Sequence, residues 1–309
     1  APEGVYLGES CEVDQLKLFD HQGSYIRTVY PFPADKVDKV QGLKMHTFVQ
    51  DGKTLPLKRG YCQATLLTCS GSDEYGAAGI NAVAASAGRV AVLNLKLNRL
   101  APDGSSGGLP FEGPSVAIPV AQDACGFGHK AQDVAPLSAV ISPDGKWLYL
   151  AGYEFGGAWG GNMDWMNGVW RLPYGENTKP ALFVGSLKPG VKNGASENGQ
   201  FKMASSVACD AQGRVYVGDY MNDRVQVFDA DGKHLKSIPV NKPASVSIHQ
   251  KTGDIYVFSW LLYNRLIPSD QFKVEATMTH LGPLDNPAVK FTCPLPMLGH
   301  QPTTSWNVH

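Results

Sequence analysis

The stretch from residue 154 to residue 168 carries more ligand-binding chemistry than any other part of the chain. It reads EFGGAWGGNMDWMNG, in which two tryptophans, two asparagines and two carboxylates are spaced by five glycines. Indole faces stack on the C–H faces of sugar rings, while amide and carboxylate groups bond sugar hydroxyls. We therefore interpret this stretch as a carbohydrate-binding loop, with candidate ligand residues Glu154, Trp159, Asn162, Asp164 and Trp165.

Two other interpretations of this loop stay open. Trp159 and Trp165 could instead pin a glycine-rich loop onto the body of the fold. Glu154, Asn162 and Asp164 are also hard oxygen donors of the kind that Ca²⁺ or another divalent metal prefers, although no twelve-residue calcium loop is present. A metal ion is thus a second candidate ligand for the same residues.

Four further residues lie in segments that we expect on the same side of the fold. They are His129 beside a glycine, Asn198 in a polar link, Tyr220 in a short loop, and Trp260. We recognise no metalloprotease motif, no P-loop and no serine-hydrolase nucleophile turn, and no two cysteines have Cys-x-x-Cys spacing. Catalytic residues are therefore left unassigned.

The elements that must position these residues come from a repeat. Residues 204–238 read as four short strands of alternating apolar residues separated by turn residues, with Asp-Gly at 231–232 supplying the positive φ of a hairpin. We predict strands at 207–209, 214–218, 224–228 and 233–238. The pattern of the second strand recurs at 5–9, 89–93, 146–150 and 254–258, so the four-stranded antiparallel unit is one blade of a repeating fold.

The best-defined unit resembles the NHL-repeat β-propeller family. The residues that carry this resemblance are VACDAQGRVYVGD at 207–219, followed by NDRVQVFD at 222–229. The resemblance implies an all-β propeller of four-stranded antiparallel blades around a central channel. It implies no particular chemistry, because the family contains both binding modules and enzymes.

Repeat spacing predicts six blades, five clear and one degenerate. Tyr216 and Tyr256 are one compact period of 40 residues apart, whereas Tyr6 and Ala91 are 85 apart, about two periods. We therefore place the degenerate blade within 31–79, with five blades and a long insertion as the alternative. Because the first blade has no inner strand before Val5, we expect the C-terminal segment around 288–293 to pair there and close the ring. The propeller then spans 1–293, and 294–309 is an irregular proline-containing tail.

Loop lengths favour one side of the ring. Turns between the first and second strands and between the third and fourth strands are short, except at 102–109. The long segments are the second-to-third loops and the links between blades, which lie on the opposite side of a propeller: 31–79, 120–136, 154–168 and 186–203. Extra loop length usually serves binding or catalysis. We assign function to this side, named the loop-rich face below.

Composition is that of a folded domain. Of 309 residues, 43% are hydrophobic and 18% charged, and the net charge is −1, so we expect neither a nucleic-acid partner nor membrane insertion. The six cysteines form an even set, and the chain begins Ala-Pro-Glu without Met. We interpret these features as those of an exported protein, extracellular or periplasmic.

We expect a binding domain that holds carbohydrate or a protein partner on the loop-rich face. Some enzymes that share the fold, such as peptidyl-hydroxyglycine amidating lyases and gluconolactonase-like enzymes, hold a divalent ion at the channel mouth. Here the inner strands bring only serine as a polar side chain, which argues against such a site. A metal-assisted lyase or hydrolase is the first alternative, and a structural spacer within a larger multidomain protein is the second.

Overall fold

The computed structural model describes residues 1–9, 15–43, 45–56, 80–121, 132–156, 164–262 and 274–295. These ranges contain 23 β-strands and three 3₁₀ helices, at Val37–Lys39, Val191–Asn193 and Tyr220–Asn222. None of the helices in these ranges has the length and apolar composition needed to cross a membrane.

The strands form five sheets and two separate hairpins. The first sheet contains β1 (Val5–Glu9), β2 (Gln15–Phe19) and β3 (Tyr25–Tyr30), and the second β6 (Ala82–Ser86), β7 (Arg89–Leu93), β8 (Lys96–Leu100) and β9 (Glu112–Ser115). The third contains β12 (Pro136–Ile141), β13 (Trp147–Phe155), β14 (Asp164–Pro173) and β15 (Ala181–Pro189). The fourth contains β16 (Ala204–Cys209), β17 (Val215–Asp219), β18 (Arg224–Phe228) and β19 (His234–Pro239), and the fifth β20 (Pro243–Ile248), β21 (Ile255–Ser259), β22 (Thr277–Leu281) and β23 (Val289–Pro294). The hairpins are β4 (Met45–Thr47) with β5 (Thr54–Pro56), and β10 (Ile118–Val120) with β11 (Gln132–Val134).

Aspartate-glycine turns set the register of the fourth sheet. The Asp210 carboxylate accepts the backbone N–H groups of residues 212 and 214, and Gly213 takes a φ of 79°. Asp229 accepts residues 231 and 233 in the same way, with Gly232 at 88°. Glycine occupies these left-handed positions without steric cost. The strands predicted from 207 to 238 are confirmed, and strands form at all four positions where the second-strand pattern recurs.

Neighbouring sheets pack face to face in chain order. Apolar clusters join the first sheet to the second, the second to the third, the third to the fourth and the fourth to the fifth. Inner-strand residues Ala84, Ala139, Val207 and Val246, from four different sheets, all line one central cavity. The described residues therefore form an all-β propeller with five blades.

The degenerate blade placed within 31–79 does not lie between the first and second sheets. Leu16 and Leu18 of the first sheet share one cluster with Val90 and Val92 of the second, so these two sheets are direct neighbours. A hairpin within this segment does form, as β4 and β5, but these strands pair only with each other among the described strands. Residues 57–79 lie outside the described ranges.

The segment expected to complete the first blade belongs to the fifth sheet instead. β23 pairs antiparallel with β22, with Phe291 opposite His280. The prediction was wrong because β22 was not recognised as a strand. The connection after β22 is short, so β23 folds back and pairs with β22. In that connection the Gly282 N–H bonds the Ala288 carbonyl at 2.9 Å. Within the described residues, the first sheet keeps three strands, with β1 innermost.

Part of the long segment after β3 also lies away from the loop-rich face. Its residues 31–43 contribute to the apolar cluster between the first and second sheets. They reach the hairpin 101–111, where the Gln41 N–H bonds the Ser106 hydroxyl at 3.0 Å. This hairpin joins the third and fourth strands of its sheet and lies at the opposite end of the ring. Residues 31–43 thus pack at that opposite end of the fold and not at the cavity mouth.

Candidate functional site

Inner-strand residues from all five sheets line a cavity of about 320 Å³. Its wall is mostly alanine, valine and serine, with two tryptophans at one end; the serines are Ser138, Ser205, Ser206, Ser245 and Ser247. Among the described residues, no Asp, Glu, Lys, Arg or His side chain lines it. This volume is near the lower limit, about 300 Å³, of pockets that hold small molecules.

Both tryptophans lie at the end of the cavity that opens on the loop-rich face. Trp165 is near the start of β14, and Trp260 directly follows β21, so each adjoins the second-to-third loop of its sheet. Leu137, near the start of an inner strand, lines the same end. Strand direction therefore places two indoles from different blades at one mouth.

Tyr220 holds this mouth in shape. Its hydroxyl donates to the Trp260 carbonyl at 2.9 Å and accepts the Leu262 N–H at 3.1 Å, and its ring shares an apolar cluster with Trp165. Burial raises the pKa of Tyr220 to about 12, so the phenol stays protonated and can donate. With its hydroxyl engaged by backbone, this predicted ligand residue serves to position Trp260.

Three buried polar atoms of this wall have no hydrogen-bond partner in the described part of the chain. They are the indole nitrogens of Trp165 and Trp260 and the hydroxyl of Ser206. The three residues are 4%, 7% and 3% exposed. A buried donor left unpaired costs about 1–3 kcal/mol, and buried indole N–H groups usually find a partner. The cavity mouth is therefore a set of donors suited to a ligand that carries acceptor atoms.

The neighbouring serines are already engaged. Ser205 donates to the Pro243 carbonyl at 2.6 Å, and the Ser138 hydroxyl accepts the Val207 N–H at 3.1 Å. These two hydroxyls tie adjacent inner strands together. Ser206 is buried like Ser205 but makes no such link in the described part of the chain, which separates it from both.

Glu154 and Asp164 do not meet at a common metal site. Glu154 lies opposite Trp165 in the β13–β14 pairing and Phe155 lies opposite Asp164, so the two carboxylates are on opposite faces of the hairpin. Asp164 Oδ1 accepts the N–H groups of Trp165 at 2.8 Å and Val191 at 2.7 Å, which fixes a turn. Nowhere in the described ranges do three His, Cys, Asp or Glu side chains group to hold a metal ion.

Glu154 has a different chemical character. It is half-buried on the same face of the hairpin as Trp165, and its carboxyl has no hydrogen-bond or ion-pair partner among the described residues. Burial raises the pKa of Glu154 to about 7, because desolvation disfavours the carboxylate. Such a group can exchange a proton near neutral pH.

The other candidates do not join this cluster. Asn198 is exposed, and its side-chain oxygen accepts the Ser237 hydroxyl at 3.4 Å rather than facing the cavity. Trp159, Asn162 and His129 lie outside the described ranges. The structure thus brings together Trp165, Tyr220 and Trp260, from three different blades.

Asp219, close to the same face, has a structural role. It is fully buried and accepts the Lys202 N–H at 2.9 Å and the side chains of Asn222 at 2.9 Å, Arg224 at 2.7 Å and Gln226 at 3.0 Å. Every donor comes from the β17–β18 unit or from the link preceding the fourth sheet. This network fixes the loop that carries Tyr220.

Ser206 was missed by the sequence interpretation, which noted the inner-strand serines only as evidence against a metal site. Serine on a strand otherwise made of small apolar residues was the available signal. The sequence also contains a Gly-x-Ser-x-Gly pattern at 104–108, which is the pattern of a serine-hydrolase nucleophile turn. Its central Ser106 accepts the Gln41 N–H and donates to the Lys39 carbonyl at 3.4 Å within a hairpin, so it is no nucleophile turn.

No protein-family model matches the chain, and no curated protein does. Similar solved structures include a hydrazine synthase of Kuenenia stuttgartiensis, 12% identical with a TM-score of 0.43, over 76% of this chain and 53% of that one. This chain therefore spans about half the length of that protein. A luciferin-regenerating enzyme is 10% identical with a TM-score of 0.46, over 93% of this chain and 76% of its own. A calcium-binding regucalcin of Agrobacterium tumefaciens is 16% identical with a TM-score of 0.35, over 66% and 62%. Similarity this low assigns no activity to the chain.

Proposed function

We propose that this chain is a carbohydrate-binding β-propeller whose ligand enters the cavity mouth on the loop-rich face. The observation that carries the proposal is the pair of indoles, Trp165 and Trp260, which line this mouth with N–H groups unpaired among the described residues. Both rings are packed in the wall, so the group each can offer a sugar is its indole N–H, which donates to a hydroxyl oxygen.

The test is a glycan array followed by titration calorimetry with the glycan that binds best. Trp165→Phe and Trp260→Phe keep an aromatic ring but remove the N–H, and we expect each to weaken binding roughly tenfold. Trp147→Phe is the matched control, because Trp147 is at the start of β13 and the cavity mouth is at its end. This variant should bind like the wild type. An array without a bound glycan, or equal weakening in all three variants, would overturn the proposal.

A protein partner is the second candidate, supported by the β4–β5 hairpin. Met45, Phe48 and Leu55 are exposed there, and Val49 at its tip is 96% exposed. Exposed apolar groups gathered at one place mark interaction sites. A photo-crosslinker at Val49 should capture a single protein of the native source, whereas one at Leu187, exposed on the third sheet, should not. Equal capture at both positions would remove this candidate.

A metal-assisted lyase or hydrolase is supported by one observation, the half-buried Glu154 at the rim with its raised pKa. Proton exchange near neutral pH is what a general acid or base requires. Its metal would need ligands beyond those the described residues assemble, with Asn162 among the predicted ones. Stoichiometric divalent metal in the purified protein, with turnover lost on Glu154→Gln, would favour this activity; metal-free protein would count against it.

NHL-repeat membership, a sixth blade and export stay predictions. The Asp-Gly turns and four-stranded sheets support a repeat of NHL type. Cys209 and Cys293 are free thiols, so these two cysteines give export no support. A spacer role within a larger protein predicts that Trp165→Phe and Trp260→Phe change no binding property.

A further inference from the structure

The cavity wall behind the two tryptophans offers no charged side chain to a ligand. Its polar groups there are serine hydroxyls. At the far end, the Gln250 amide donates to the Cys209 and Ile248 carbonyls at 2.9 and 3.1 Å, and the Ala1 amino group donates to the Gly4 carbonyl at 3.0 Å. Both groups are thus held by the protein's own backbone.

This wall separates neutral from ionic ligands by desolvation. A carboxylate or ammonium that enters must give up its water, and apart from the Ala1 ammonium at the far end it meets no charged group of the described wall, which is costly. A neutral sugar ring loses much less, because its C–H surface contacts alanine and valine side chains such as Ala84 and Val246. Its hydroxyls keep hydrogen bonds if the wall supplies donors and acceptors.

Ser206 is placed to supply one of them. Its hydroxyl is unpaired in the described part of the chain, whereas Ser205 beside it is engaged. Room for both hydroxyls depends on Gly218 of the adjacent strand, where a Cβ would lie 2.5 Å from the Ser205 oxygen and 3.0 Å from the Ser206 oxygen. Glycine at this position leaves room for the Ser206 side chain against the neighbouring strand.

We propose that the channel admits an uncharged sugar of hexose size and excludes its ionic counterparts, with Ser206 bonding a sugar hydroxyl. This rests on the proposed carbohydrate function and narrows its ligand class. The sugar passes the two indoles and enters the cavity instead of lying on the rim.

Three sugars of the same ring size test the charge selectivity: D-glucose, D-glucuronate and D-glucosamine. Titration calorimetry at mildly acidic pH, where the first is neutral, the second an anion and the third a cation, should give glucose an affinity at least about tenfold above both others. Ser206→Ala should weaken glucose binding roughly threefold to tenfold. Ser245→Leu, which fills the channel, should abolish it, while Ser24→Leu on an exposed hairpin is the control and should change nothing.

The outcomes separate the two levels of the proposal. If the wild type binds none of the three sugars and no array glycan, the carbohydrate function itself is wrong. If glucose binds and loses affinity in Trp260→Phe but is unaffected by Ser245→Leu and Ser206→Ala, the sugar lies on the rim and only the channel placement is wrong. Equal affinity for glucuronate or glucosamine refutes the selectivity. Thermal unfolding of each variant confirms that it is folded before its affinity is compared.

Discussion

Replacing Glu154 by glutamine should change how stability depends on pH. The carboxyl pKa is raised by burial from 4.5 to about 7, so the native protein holds a proton that the unfolded chain releases between these values. Stability contributed by this group is complete at low pH and is lost as pH rises through about 7. Each pKa unit corresponds to about 1.4 kcal/mol, so the full loss is about 3 kcal/mol, reduced by the remaining solvent contact of this half-buried side chain. We expect about 2 kcal/mol.

Glutamine has the shape of protonated glutamic acid and does not ionise. In urea unfolding at about pH 4, Glu154→Gln and the wild type should therefore differ little, and at about pH 9 the variant should be more stable by about 2 kcal/mol. All other titrating groups cancel in this difference. Glu197→Gln, an exposed glutamate on the same face, controls for the loss of one negative charge. Stability curves that run parallel from low to high pH would refute the burial of Glu154.

Two further substitutions test the packing that supports the site. Asp219→Ala removes the shared acceptor of the Arg224 side chain and its companion donors, and should lower the free energy of unfolding by about 3 kcal/mol, measured by urea denaturation; a loss below about 1 kcal/mol would show that water replaces the network. Gly218→Ala puts a methyl group against the Ser205 hydroxyl and should cost about 1–3 kcal/mol. Gly175→Ala, where a Cβ meets nothing within 4 Å, is the control and should be near neutral; equal effects would contradict the close approach at Gly218.

The repeating part of the fold was predictable because its causes are local. Alternating residues such as Val215 and Val217, with turn residues such as Asp229 and Gly232, specify strands and hairpins without knowledge of the rest of the chain. The pairing of the last strand was mispredicted because its causes are not local. Whether residues 289–294 pair with β22 or with the first blade depends on which strand edges remain open. Because β22 was not predicted as a strand, its open edge was not considered as a pairing site.

The candidate site was predictable only in part. Trp165 and Trp260 were identified because their loops adjoin second strands of recognised blades, which fixes the end of the ring they occupy. The relation between Glu154 and Asp164 depends on the exact register of the β13–β14 hairpin. A shift of one residue in that register would move the side chains of one strand to the other face of the hairpin. The position of the Ser206 hydroxyl depends on a register shift between Ala204 and Val207 in the β16–β17 pairing. No local sequence pattern predicts that shift.

The most direct measurement is a ¹H–¹⁵N spectrum of the indole N–H groups during titration with D-glucose. The chain has six tryptophans, and the Trp165→Phe and Trp260→Phe variants assign two of the six indole signals. We expect these two signals to shift and saturate together as their N–H groups gain acceptors, while the Trp147 signal stays in place. Saturable shifts confined to other tryptophans, or no shift at any, would refute binding at the cavity mouth.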